Sequence, residues 1–241
     1  MIALLAIGII ATSLWLRGDA EQAAFAIVVD DPPASTWREV TFRKIDPSAR
    51  AVARKYETMV RREFARHDPA LLRRSGMRVI AIVDELAVNG QRRAAVPDYP
   101  TGCLYLDPSV GNWSTIYQRH AMHHEFFHLI QGAVHDDQYY KDPSWIALNA
   151  PDVRYGSGGA TNRDANVYDL THPADGFINK YAQSAVEEDM AEVFATLFVE
   201  EESTKVLTWA KQDQFLRAKV ERMRALISEY SANPATTKPS R

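Results

Sequence analysis

Apolar and polar positions alternate along the chain in blocks that predict its elements. Ala26-Ile27-Val28-Val29 reads as a first strand running into the Asp30-Asp31-Pro32-Pro33 loop. Residues 47–74 carry Val52, Tyr56, Val60 and Phe64 at four-residue spacing with arginines between them, which predicts a helix closed by Arg73 and Arg74 before Gly76. Residues 77–84 (MRVIAIVD) form an uninterrupted apolar run expected of a buried strand. Asn89-Gly90 marks a turn between two extended segments, and residues 102–106 (GCLYL) predict another short strand before Asp107-Pro108. A helical pattern runs from about Ser114 to Gln131, with Gly132 as its expected stop. Residues 135–180 are loop-rich, with Gly156, Gly158 and Gly159 clustered. Helical spacing returns at about 184–201. It returns again at 204–230, where Val206, Trp209, Leu216, Val220, Met223 and Ile227 share one face. No internal repeat is visible. Strands and helices in this order predict one α+β domain, with a small mixed sheet packed on the central helix and a mostly helical C-terminal half.

The ends read differently. Residues 1–16 (MIALLAIGIIATSLWL) are almost wholly apolar until Arg17, slightly short of the ~18 residues of a membrane span. Gly18 and Ala20, or Ala24 and Ala26, suit a signal peptidase, so residues 1–26 are expected to be a cleaved signal or an uncleaved anchor. The expected location is extracytoplasmic: secreted, periplasmic or held to a membrane through residues 1–16. Residues 27–232 form the expected domain, and 233–241 (NPATTKPSR) a disordered tail.

Composition narrows the function. At 241 residues, 46% hydrophobic and 24% charged, the chain is an ordinary globular protein. A net charge of -3 gives no reason to expect nucleic acid as a partner. Cys103 is the one cysteine, so a disulfide within the chain and a multi-cysteine zinc site are both excluded. A metal here needs His and carboxylate ligands. Four of the seven histidines, His120, His123, His124 and His128, fall within nine residues.

The central helix carries His124-Glu125-Phe126-Phe127-His128. Two histidines at i and i+4 share one helix face a turn apart, which suits two ligands of a tetrahedral zinc. Glu125, next to the first, can then act as general base on a metal-bound water. Met122, Phe126 and Ile130 form an apolar stripe, so the helix is buried and its polar side chains need partners or a metal. His120 and His124 are also spaced i, i+4, but only the 124/128 pair places a Glu directly after the first ligand. His120 is expected near the site entrance and His123 on another face. A third ligand is sought in residues 185–195 (AVEEDMAEVFA), where Glu188 and Glu192 lie one turn apart beside the small Ala191. One carboxylate can bind the metal and the other can accept the distal N–H of a liganding histidine. Glu187 fits a solvated helix start.

His124-Glu125-x-x-His128, followed some sixty residues on by Glu188-Asp-Met-Ala-Glu192, resembles the gluzincin metallopeptidases. The likeness is nearer still to bacterial zinc-binding metallopeptidases and to the catalytic domain of anthrax lethal factor. Residues 175–184 (DGFINKYAQS) before the acidic helix fit that pattern, and Trp145-x-x-x-Asn149 with Tyr155-Gly156 looks like the loop after the metal helix. The resemblance spans about residues 101–200 and implies a zincin-like fold. It implies one zinc ion, held by His124, His128 and Glu188, with Glu192 supporting a ligand from behind. Glu125 is then the general base, and Tyr181 matches the tyrosine that stabilises the oxyanion. The expected activity is zinc-dependent endopeptidase cleavage of a peptide or protein, with the Gly102–Leu106 strand offering its edge to an extended substrate. Two alternatives stand beside it. One is a zinc-stabilised extracytoplasmic binding or adhesion module, with His120 or His172 as a fourth ligand. The other is a metal-free tethered protein docking through the arginines of residues 50–74.

Overall fold

In the computed structural model, residues 24–156, 158 and 168–232 are described; residues 1–23 of the expected leader (1–26) and the expected tail (233–241) lie outside them. Two long apolar runs build the centre. Strands β1 (Ala26–Val28), β2 (Val40–Arg43), β3 (Val79–Ile82), β4 (Asp84–Val88), β5 (Gln91–Arg92), β6 (Ala95–Asp98) and β7 (Cys103–Leu106) form two sheets. One has the order β1-β3-β7-β6, parallel except for the antiparallel β6; the other is the antiparallel β2-β4-β5. Side chains of a strand alternate between faces. Ile80, Ile82, Leu104 and Leu106 therefore enter the main core, while Ala81, Val83, Cys103 and Tyr105 enter a second cluster with Leu86 and Val96. Burial on both faces explains why residues 77–84 read as one apolar run.

Helices cover the first face: α1 (Arg50–Phe64), α2 (Pro69–Arg74), α3 (Thr115–His135), α4 (Pro143–Ile146), α5 (Val186–Phe198), α6 (Glu200–Ala210) and α7 (Gln214–Ala232). The Ser114 hydroxyl accepts from the Tyr117 amide and starts α3. Met122, Phe126 and Ile130 are buried, as their spacing predicted, and α3 packs between the sheet and α5. The α+β architecture, with a mixed sheet packed on the central helix and a mostly helical C-terminal half, is therefore as expected, and no helix among the described residues is long and apolar enough to cross a membrane.

Several boundaries differ from expectation. The region 47–74 is two helices, because the Asp68 carboxylate accepts from the Ala70 amide and Pro69 opens α2. Val52 is 59% exposed; Ala53 takes its place in the core. The region 204–230 is also split, since Asp213 Oδ1 accepts from the Phe215 and Leu216 amides and starts α7 anew. Gly132 does not stop α3. A Cβ there would lie 2.5 Å from the Tyr99 ring, so glycine serves close packing, and the helix runs on to Asp136 at φ 60°. The Gly102–Leu106 strand has no free edge: β7 lies between β3 and β6, and β6 is the outer strand.

Candidate metal centre

Two turns of α3 and the first two turns of α5 face each other and set the site. His124, His128 and Glu188 are each at least nine-tenths buried. Glu188 Oε2 lies 3.0 Å from His124 Nε2 and 3.5 Å from His128 Nε2, and the two Nε2 atoms are 3.3 Å apart. Zinc bonds of about 2.0 Å place tetrahedral ligand atoms about 3.3 Å from one another. The three donors therefore already form one face of such a tetrahedron.

The outer ring nitrogens explain the orientation. His128 Nδ1 donates to the Gln138 carbonyl at 3.0 Å, with the Gln131 amide oxygen at 3.2 Å. Its Nε2 then turns a lone pair toward Glu188. His124 Nδ1 lies 2.8 Å from Glu192 Oε1, close but out of line for a full hydrogen bond. A carboxylate in that place favours the proton on Nδ1 and again leaves Nε2 as a lone pair. Two lone pairs and a carboxylate oxygen aimed at one point call for a cation. The protonation of the metal-free site agrees. Burial opposes a charged His124, yet Glu188 and Glu192 overcome it and lift the ring to about 10. Burial likewise opposes ionisation of Glu188, but the two imidazoles hold it at about 2. The donor set fits zinc.

A second set, His120, His124 and Glu192, also lies within metal-binding reach. It is already satisfied as an ion pair. His120 donates from Nε2 to Glu192 Oε1 at 3.1 Å and from Nδ1 to Glu202 Oε2 at 2.7 Å, and both carboxylates favour the imidazolium against the effect of burial. His120 is thus buried with both ring nitrogens engaged, and it lines the second hollow beside His124. His172 pairs with Asp213 and stacks on Trp209, away from the centre. Neither is free to be a fourth ligand.

Glu125 and Tyr181 stand beside the three donors. Both line two adjoining hollows of about 180 and 260 Å³ that open at the site, together with Arg93, Ala95 and Tyr168. Burial pushes the Glu125 carboxyl up, against the pull of His124 and His128. Burial also keeps the Tyr181 phenol protonated, so its hydroxyl remains a donor. The structure thus gathers all six residues expected from the sequence.

Other members of the site had gone unassigned. Asn179 donates to Glu192 Oε2 while its own oxygen accepts from the Ala182 amide. Asp189, next to Glu188, faces away and accepts from Trp145 Nε1, Tyr155 and Lys219, each at 2.7 Å. This buried knot anchors the start of α5 and explains why Trp145 and Tyr155 follow the metal helix. Glu187 is buried at 7% exposure, not solvated as its position in the first turn had suggested. His123 lies on the opposite face of α3, its Nδ1 3.0 Å from His67 Nε2.

The sequence profile of the family described as "Putative zinc-binding metallo-peptidase" matches residues 105–234, more than half of the chain. The chain belongs to that family. The match spans every residue named above as a donor, base or support. A solved structure of a "putative zinc-binding metallo-peptidase" from Bacteroides caccae ATCC 43185 is similar, at TM-score 0.49 and 18% identity over 86% of this chain and 77% of that one. No curated protein matches the chain.

Proposed function

We propose that this chain is a zinc-dependent endopeptidase of the gluzincin type. The observation that carries the reading is the triangle of His124 Nε2, His128 Nε2 and Glu188 Oε2, with Glu125 and Tyr181 beside it on an open cleft. These donors would hold a single zinc ion, which would supply a Lewis acid for the scissile carbonyl and lower the pKa of water to about 7. Glu125 accepts the proton of the attacking water and passes it to the leaving amine; its raised pKa suits both transfers. The Tyr181 hydroxyl donates to the oxyanion that develops on the carbonyl. Glu192 orients His124, and the Gln138 carbonyl orients His128.

The substrate is an extended peptide laid along β6. In its pairing with β7, the Val96 and Asp98 backbone groups face Tyr105 and Cys103, so those of Ala95 and the Pro97 carbonyl point outward. Ala95 and Pro97 also line the cleft. Export of the chain by residues 1–26, or its tethering through residues 1–16, completes the proposal, supported by the apolar run there. The commitment of His120 and His172 to other partners favours an open coordination position over a closed structural one.

The test is metal content and cleavage of a peptide library by the wild type and by Glu125→Gln. Wild type should carry one zinc and cut; Glu125→Gln should keep the zinc and lose at least about 10²-fold in rate. Equal activity of the two proteins would refute the role of Glu125.

A further inference from the structure

Arg93 is the unabsorbed charge of the cleft. It sits between β5 and β6, with its backbone amide fixed to the Leu86 carbonyl at 2.9 Å. Its half-buried side chain lines both hollows beside Glu125, Tyr168 and Tyr181. Neighbouring arginines are spoken for: Arg92 by Asp107 at 2.7 Å, and Arg119 by Glu63 and Glu201, each at 3.0 Å. Arg93 has a different partner. Its Nη2 donates to the neutral Gln91 amide oxygen at 3.1 Å, and no carboxylate pairs with it among the described residues. A guanidinium carries five N–H donors in a planar fork. Among the described residues only Nη2 of that fork has a hydrogen-bond acceptor, and the side chain lines the cleft.

The charge balance gives the same answer. A dication against Glu188 and Glu125 sums to zero, so the Arg93 charge is left over where substrate must lie. That charge is felt across the cleft wall, for it opposes the effect of burial on Glu125, Tyr117 and Tyr168. A half-buried cation with unused donors is stabilised by an anion that brings two oxygens.

We propose that Arg93 receives a carboxylate of the substrate close to the scissile bond, so that the cleft selects peptides with an acidic side chain or a free C-terminus at that place. The proposal rests on the peptidase reading for the bond that is cut, but not for the binding itself.

The test uses the full chain carrying Glu125→Gln and loaded with zinc, so that peptides bind without turnover. N-acetylated heptapeptides of alanine and leucine are titrated in calorimetry. In one series a Glu is scanned through the positions of an amidated peptide; in the second Gln replaces it; in the third the Gln peptide ends in a free carboxylate. In at least one register the Glu peptide, or the free-carboxylate peptide, should bind about tenfold tighter than its neutral twin. Which of the two gains identifies the source of the carboxylate. Arg93→Gln should collapse that ratio toward one. Arg93→Lys keeps the charge but not the fork, so it should lower the ratio at least about threefold, and it carries the test if the Gln variant does not fold. Acidic and neutral peptides binding alike to wild type would overturn the proposal. So would an Arg93→Gln variant that weakens all three series equally. Failure of the peptidase reading shows separately, as peptides left uncut by the Glu125-containing chain while the binding ratio persists.

Discussion

Glu192→Gln separates a supporting carboxylate from a liganding one. Glu192 is fully buried, and both its oxygens face donors. Oε1 faces His124 Nδ1 at 2.8 Å and His120 Nε2 at 3.1 Å, while Oε2 accepts from Asn179. Glutamine keeps the shape but turns one oxygen into a donor. If the amide nitrogen faces Asn179, two donors meet there, and Asn179 cannot turn over without losing the Ala182 amide. If it faces the histidines, His124 loses the acceptor that keeps its proton on Nδ1, and the lone pair on Nε2 is no longer assured. Changes of this kind lower metal affinity about 10–100-fold, or about 1.4–2.7 kcal/mol. Glu188→Gln removes one of three donors and should lose well beyond that range. The assay is competition for zinc against a chelating indicator near neutral pH, with both variants checked for folding by circular dichroism. Zinc affinity unchanged in Glu192→Gln, or lowered as far as in Glu188→Gln, would refute the division of roles.

The same arithmetic applies elsewhere in the fold. Lys219→Met leaves the Asp189 carboxylate buried without its cation and should cost about 3–5 kcal/mol in urea unfolding of the zinc-free protein; adding Asp189→Asn should cost less than the sum of the two single changes. Gly132→Ala drives a methyl into the Tyr99 ring and should destabilise by about 1–3 kcal/mol, a loss that Tyr99→Ala in the same chain should partly relieve. Burial opposes ionisation of Glu63, but His123 and Arg119 hold it at about 2, below its ordinary 4.5. A depressed carboxyl stabilises the fold above its unfolded pKa and loses that effect as pH falls, so about 3 kcal/mol should disappear between roughly pH 4.5 and 2. Glu63→Gln should flatten that part of the pH–stability curve, and coincident slopes for the two proteins would count against the pairing.

What the sequence made legible was what local spacing controls. The run 77–84 and the stripe Met122, Phe126, Ile130 specify a buried strand and a buried helix because neighbours in the chain share a face. His124 and His128 were readable for the same reason. Helix breaks were missed where one acid did the work: Asp68 and Asp213 each cap a new helix inside a stretch whose apolar spacing reads as continuous. Gly132 read as a stop because glycine usually frees the backbone; only Tyr99, from a distant turn, shows that its missing Cβ is what matters. Which strand ends a sheet is likewise a matter of pairing between distant segments, so β6 was hidden behind β7. Local spacing left Glu188 and Glu192 as alternatives. They are distinguished by His120, Glu202 and Asn179, none of which adjoins them in sequence.

The buried acids also explain why this centre answers to a metal while its neighbours do not. Asp189 has Lys219, Glu63 has Arg119, and Glu192 has the doubly bonded His120. Each is a closed pair whose cation comes from the chain. Among the described residues Glu188 has no such partner; it faces two imidazoles whose outer nitrogens are already turned to Gln138 and Glu192. The missing positive charge must come from solution, as protons or as a metal ion. With His124 lifted to about 10, a proton occupies that ring at neutral pH until a stronger cation displaces it. Zinc binding is therefore coupled to proton release, and falling pH opposes it through the same nitrogen that holds the ion.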